Sequence, residues 1–375
     1  MMISKTYTPN PLLELTLETS SDETLRFFET RYAGLHASGD QVVNSKAVVC
    51  LKEVPDLRIN APRIMREITI PELCLFDEQN FVIVKDKKRI KIPFLEIGQA
   101  PELSVFFEAG FPTYWLWRFL DDVISYHLIG MGASLYHAAS VVRKDCEIII
   151  PGWGGTGKTT ALLWFLEDGS STYQAEDHLV IKGTGESYIY TDAGYIAFEE
   201  RDRFPAVRSR YRAIGFPLGA AIAKIVLPFI PPRGEMLEFV RRVLTDILTP
   251  KILIKLTDCL PDLQISNQQP ARRIVLQLIA QRDLDRPISK PIDVDSMVDR
   301  TLSGMQYERE DFRMMYYAFV YATGRRNQLI DNAVERELEI LQKALESAAC
   351  YEVRITENWP ENFAHITHLL QSSYL

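Results

Sequence analysis

Nine consecutive residues, Gly152-Trp153-Gly154-Gly155-Thr156-Gly157-Lys158-Thr159-Thr160, concentrate the side chains and backbone freedom that handle phosphate. Gly152 to Thr159 fits the pattern G-x-x-x-x-G-K-[ST]. A triphosphate needs several donors converging on closely spaced oxygens. Backbone N–H groups converge only where the chain curls tightly, which Gly152, Gly154, Gly155 and Gly157 permit. Lys158 supplies a mobile cation for the β- and γ-phosphates, and Thr159 a hydroxyl for Mg²⁺. The flanks suit this reading. Ile148-Ile149-Ile150 is a β-branched apolar run expected to be a buried strand, and Ala161 to Leu166 is helix-forming. A helix starting near Lys158 turns its positive end toward the same phosphates. The expected ligands are ATP, with GTP as the alternative, and Mg²⁺.

A phosphate loop by itself binds a nucleotide. Transfer needs an acid to hold Mg²⁺ or a base to take a proton from the attacking group. Glu176 and Asp177 are the nearest candidates downstream. Most adjacent acid pairs are solvated turn residues, and here the apolar run Leu179-Val180-Ile181 follows the acids, whereas the second acid of such proteins usually ends an apolar strand. His137 is the other candidate, set among the small residues Ala138, Ala139 and Ser140. A lone histidine is more often a hydrogen-bonded core residue than a ligand. His178 is expected to face outward or to sit behind the site. A further cation for the transferring group is sought in the five arginines from Arg201 to Arg212, or in Arg272-Arg273, and sequence does not choose between them.

These residues need a scaffold, and the chain supplies short strands and helices in irregular order. Residues 1–110 are expected to form an N-terminal β-rich module, and residues 111–375 a nucleotide-binding domain with a helical C-terminal part. The opening 40 residues are mostly polar and allow either a loose arm or an early helix around Asp22–Tyr32. Short apolar runs follow: Val42-Val43, Ala47–Leu51, Glu67–Ile70, Phe81–Lys85 and Arg89–Ile92, with a hairpin turn at Lys85–Lys88. Trp115, Phe119, Val123 and His127, spaced by four, predict a helix over Pro112 to Met131. Ser134 to Val142 is expected to be one strand, joined by the turn Arg143-Lys144-Asp145 to the strand before the loop. Gly169 is placed to cap the loop helix. Pro231-Pro232 precedes an expected helix over Glu235–Leu248. Strands are expected at Ile252–Leu256, Arg273–Ile279 and Tyr351–Ile355, and helices at Val294–Met305, Glu310–Tyr321, Asn332–Ser347 and Glu361–Gln371. The absence of regular βαβ alternation predicts a mixed α/β fold, α+β in character, rather than a doubly wound one.

Composition limits the alternatives. The chain of 375 residues is 47% hydrophobic and 25% charged, enough for a sizeable core. Its net charge of −8 opposes general nucleic-acid affinity. Five cysteines are scattered with no C-x-x-C pair, as expected of reduced thiols in the cytoplasm. The start lacks a secretory pattern, and the longest apolar run, Leu218 to Ile230, is interrupted by Lys224 and too short to span a membrane.

Together the pieces resemble the HPr kinase/phosphorylase and phosphoenolpyruvate carboxykinase-like group of P-loop proteins. Leu135-Tyr136-His137-Ala138-Ala139-Ser140-Val141-Val142 resembles the family strand L-H-A-S-A-V. Gly152–Thr160 resembles its loop, and Gln174-Ala175-Glu176-Asp177 its V-A-D-D acidic pair. The likeness covers residues 134–181, with a weaker echo at Cys350–Ile355 and the closing helix. It implies a P-loop core with a mixed sheet. It also implies that Asp177 is the base or metal-side acid with Glu176 beside it, and that His137 is a metal-side or orienting group. Glu176 stands where the family has Asp, and its extra methylene suits a metal ligand. The family's acceptor-protein signature is not visible. The expectation is therefore a kinase, with Lys158 and Asp177 central. It would pass the γ-phosphoryl group of Mg–ATP to a hydroxyl of a peptide, protein or small metabolite, with a homo-oligomer allowed and with neither nucleic acid nor membrane as partner. A nucleotide-binding switch or assembly ATPase, and a reversible kinase/phosphorylase, are the alternatives.

Overall fold

The computed structural model describes residues 2–32, 46–59, 63–65, 73–77, 81–196, 252–260, 262–266, 269–281 and 283–373. The arginines from Arg201 to Arg212, the run Leu218–Ile230, the expected helix Glu235–Leu248 and the runs Val42-Val43 and Glu67–Ile70 lie outside them. The chain forms two compact units, Met1–Thr191 with Ile265–Leu375, and Asp192–Gln264. Helices and strands both contribute heavily, and the two largest described sheets mix parallel and antiparallel pairs, so the fold is mixed α/β.

The larger unit opens with β1 (Ile3–Asn10) and β2 (Leu13–Thr19), an antiparallel pair, followed by α1 (Asp22–Tyr32). The early helix expected around Asp22–Tyr32 is present, and two strands precede it in the polar opening. In β2, Leu13, Leu15 and Leu17 are buried and alternate with half-buried Glu14, Thr16 and Glu18, the period of a strand with one face in the core. The intervening threonines and acids mask that alternation in composition. Next come β3 (Ala47–Val54), β4 (Arg63–Met65), β5 (Leu73–Phe76), β6 (Phe81–Lys85), β7 (Lys88–Lys91) and β8 (Glu102–Glu108). They form one eight-stranded sheet in the order β1-β2-β3-β8-β7-β6-β5-β4. Asp86 and Lys87 both take positive φ, at 49° and 64°, in the tight turn that pairs Lys85 with Lys88.

Helix α2 (Thr113–Gly130) is buried along most of its length, and its apolar residues share one core with the strands of this sheet. Then follow β9 (Ala133–Tyr136), β10 (Ala138–Arg143), β11 (Cys146–Pro151), α3 (Lys158–Glu167), β12 (Ser171–Ala175), β13 (Leu179–Lys182) and β14 (Ser187–Ile189). The smaller unit contains β15 (Ala193–Ile196), antiparallel to β16 (Ile252–Lys255), and the short α4 (Leu256–Cys259). The larger unit resumes with β17 (Arg272–Ala280), β18 (Ile288–Ile292), α5 (Val294–Glu308), α6 (Glu310–Thr323), α7 (Gln328–Asp331), α8 (Ala333–Leu345), β19 (Ala349–Ile355) and α9 (Trp359–Ser373).

A six-stranded sheet in the order β12-β10-β11-β17-β19-β18 carries the loop, and a three-stranded sheet, β14-β13-β9, lies next to it in the chain path. Within the six, β11, β17 and β19 run parallel and the other pairs antiparallel. No described helix is long and apolar enough to cross a membrane. Cys50, Cys74, Cys146 and Cys350 are buried free thiols.

Candidate functional site

The segment 134–142 is not one strand. The chain leaves the three-stranded sheet after Tyr136 and enters the six-stranded sheet at Ala138, with His137 at the crossing. The return crossing lies opposite. β12 pairs with β10 through Ser140 and Ala175, and β13 pairs with β9 through Leu179 and Tyr136. Glu176, Asp177 and His178 occupy the second crossing. The acids thus do follow a strand, β12, whose sequence Ser-Thr-Tyr-Gln-Ala is too polar to announce itself. At these crossings side chains replace the interrupted backbone ladder. His137 Nε2 meets Asp177 Oδ1 at 2.9 Å, and the two imidazoles of His137 and His178 stack with centroids 5.2 Å apart. Asp177 takes φ 64°, a left-handed conformation that Asp and Asn tolerate better than most residues.

The loop follows β11, and α3 begins at Lys158. Gly157 has φ 93°, and a Cβ there would lie 2.5 Å from the Trp359 ring of α9, so glycine is required on both counts. The N–H groups of Gly154, Gly155 and Gly157 donate to no acceptor among the described residues. That is the donor set a phosphate needs, and it fits the expected ligand. Lys158 is buried, and its Nζ contacts the Gly152 carbonyl and His137 Nε2. Thr159 Oγ1 donates to Glu176 Oε1 at 2.8 Å. Trp153 is half exposed and packs on Tyr307, with ring centroids 4.7 Å apart.

The adjacent acids therefore face different partners, and their electrostatics differ. Burial pushes the Glu176 carboxyl up to about 7, aided by the Asp177 charge and opposed by the Thr159 hydrogen bond and Lys158. Burial also works against the Asp177 charge. It is outweighed by His178, His137 and Lys158, which hold that carboxyl well below its ordinary value. Desolvation pulls His178 itself down to about 3, so at neutral pH His137 and Lys158 are the charges that hold Asp177 ionised. Burial lowers the His137 pKa as well, but Asp177 and a hydrogen bond to Glu308 raise it above the ordinary value overall. Nε2 touches both Lys158 and Asp177 and cannot serve as acceptor and donor at once. The raised pKa favours the form in which it donates to Asp177, with Nδ1 donating to Glu308.

Two cavities meet at His137, Gly154 and Met305. One, about 330 Å³, runs along Gly152–Thr156 to the end of β17. The other, about 280 Å³, is lined by Asp177 and His178, by Asp121, Asp122 and Ser125 of α2, and by Glu308 and Arg309. Helix α5, capped by Asp293 accepting from Ser296 N at 2.7 Å, brings Thr301, Gly304, Met305 and Glu308 to these cavities at helical spacing. Among the described residues no three His, Cys, Asp or Glu side chains converge as a ready metal cage. Mg²⁺ in phosphoryl transfer commonly takes one or two carboxylates and completes its shell from phosphates and water. Thr159 and Glu176 fit that sparse set.

Arg272-Arg273, a candidate for the extra cation, is engaged away from the loop. The pair lies at the end of β17 level with Cys146, the end of β11 away from the loop. Arg273 is clasped by Glu147, the Ala344 carbonyl and the Gly185 carbonyl, and Arg272 donates to the Ser373 carbonyl. Sequence reading missed Glu308, Arg309 and the pair Asp121-Asp122. A double acid inside the otherwise apolar run Leu116–Ile129 was the available signal for the last two, because buried carboxylates are rare without a purpose. No protein-family model matches the chain, and no curated protein matches it.

Proposed function

We propose that the chain is a cytoplasmic phosphotransferase that moves the γ-phosphoryl group of Mg–ATP to a hydroxyl. It would be built on a P-loop core of the type found in the HPr kinase/phosphorylase and phosphoenolpyruvate carboxykinase-like group. The observation that carries this reading is the division of labour between two adjacent acids. Glu176 holds the Thr159 hydroxyl at 2.8 Å, on the metal side, while Asp177 lines the neighbouring cavity beside His137.

The loop from Gly152 to Thr160 would hold the phosphates through its unpaired N–H groups and Lys158. Thr159 and Glu176 would hold Mg²⁺, whose charge would favour ionisation of a carboxyl that burial otherwise keeps near neutrality. When bound, Mg–ATP supplies the phosphoryl group: the acceptor oxygen bonds to the γ-phosphorus, the bond to the β,γ-bridging oxygen breaks, and that electron pair leaves with ADP. Asp177, ionised and half-buried, orients the acceptor hydroxyl and receives its proton. His137 positions Asp177 through Nε2 and is itself fixed by Glu308 through Nδ1. Lys158 is the one cation of the cluster on a flexible stem, and it can exchange the Gly152 carbonyl and His137 for phosphate oxygens.

The test supplies γ-labelled ATP with an extract of the source cells and identifies what becomes labelled, with Lys158→Ala and Asp177→Asn alongside. Label transfer is expected from the parent chain and lost in both variants. Transfer that persists in both would remove the site assignment. Nucleotide binding with no labelled acceptor would instead favour a nucleotide-binding switch.

A further inference from the structure

We infer that the cavity beside Asp177 receives a small hydroxyl-bearing amine, an amino alcohol or amino sugar, whose ammonium group is held by Asp121 and Asp122. The transfer of phosphate to that molecule rests on the function proposed above; the binding of the amine does not.

Charge is the first reason. Two arginines line the cavity, and both are engaged. Arg118 pairs with Asp311 at 2.9 Å. Arg309 donates to Glu337 through both terminal nitrogens, at 2.5 and 3.1 Å, and to the Leu135 carbonyl at 3.3 Å. Asp121 accepts from the Tyr190 hydroxyl, but neither Asp121 nor Asp122 makes an ion pair among the described residues. Arg31 favours the Asp121 charge, and Arg309 and Arg118 the Asp122 charge, yet burial outweighs them, and carboxyls buried in this way are costly unless they are protonated or a ligand brings the charge. Consistent with this, burial raises Asp121 to about 7 and Asp122 to about 8 despite the nearby arginines.

The second reason is independent of charge. Ser125 lies three and four residues beyond the two acids, on the same face of α2, and lines the same cavity. Its side chain is 2% exposed, and its Oγ has no hydrogen-bond partner. A buried hydroxyl left unpaired at a cavity wall calls for a polar group from a ligand. Size is the third reason. About 280 Å³ is room for one small molecule. Asp177 and His137 line the same cavity, so a molecule whose ammonium sits at Asp121-Asp122 shares that cavity with the reacting groups.

The probes are two matched pairs, serinol against glycerol and glucosamine against glucose, titrated calorimetrically into the full chain without nucleotide at pH 7.5. The amine of each pair is expected to bind at least about tenfold tighter than its neutral partner, and Asp122→Asn and Asp121→Asn to erase most of that preference. Equal binding within both pairs, or a preference untouched by both substitutions, overturns the proposal. If either variant fails to fold by circular dichroism, the amine-to-neutral ratio in the parent chain decides alone. Labelled Mg–ATP is then added. Transfer to glycerol, glucose or a peptide serine without preference for amines overturns the amine assignment and leaves the kinase standing. Amine preference without transfer keeps the cavity assignment and overturns the kinase.

Discussion

The loop side and the α2 side of the site solve opposite electrostatic problems. Along Gly152–Thr156 the groups left unpaired are backbone donors, backed by Lys158 and by the start of α3, and all of them favour an anion. Across His137, the wall is carboxyl and hydroxyl from Asp121, Asp122 and Ser125, which favours a cation or a polyol. The donors of the first surface come from one continuous stretch of chain, although β17 and α5 complete its cavity. The second is assembled from α2, the two sheet crossings and α5. Its charge balance depends on Glu337 and Asp311 keeping two arginines occupied. The two sides meet at His137, which contacts Lys158 toward the loop and Asp177 toward the α2 side.

The largest way to break this picture is Lys158→Ala, which removes the mobile cation of the anion side. Phosphoryl transfer is expected to fall by about 10³-fold or more, read by label transfer. Asp177→Asn tests the dividing row. Asparagine tolerates the φ of 64°, so the fold should hold and nucleotide binding persist, while transfer falls by roughly 10²–10³-fold. Glu176→Gln tests the proposed metal role: the Mg²⁺ concentration needed for half-maximal transfer should rise on the order of tenfold, with a smaller change at saturating metal.

The α2 side is tested by pH. Burial raises the folded Asp122 from its ordinary 3.8 to about 8, so across that window the folded chain keeps a proton that the unfolded chain has lost. Stability therefore falls as pH rises between those values. Asp122→Asn removes this contribution. In the ligand-free chain the drop in melting temperature from pH 5 to pH 8 should shrink by on the order of 5 °C. Gly157→Ala should cost about 1–3 kcal/mol through its positive φ and the Trp359 ring, whereas Gly154→Ala, where an added Cβ meets nothing within 4 Å, should cost little. Paired denaturant melts separate them.

The same contrast explains what sequence could and could not convey. The loop is legible because the phosphate-binding pattern is a run of consecutive residues with special backbone freedom, with a strand just before it and a helix just after. His137 and Asp177 are legible as types, but not as partners. Their pairing depends on two chain crossings between sheets, one hidden in an apparently continuous strand and the other preceded by the polar β12. Asp121 and Asp122 sit in a run whose periodicity predicts a helix and says nothing about which cavity that helix will border. Glu308 and Arg309 arrive from more than 120 residues beyond Asp177, at the end of a helix, and no local pattern links them to it.

Trp153 has a practical consequence. A half-exposed indole packed at a tilt on Tyr307, inside the phosphate-loop segment, is an intrinsic fluorophore beside the loop cavity. Quenching and emission wavelength should respond to nucleotide without any label. A chain retaining Trp153 with the other four tryptophans replaced by phenylalanine would report binding optically, in real time, and apart from any chemistry that follows.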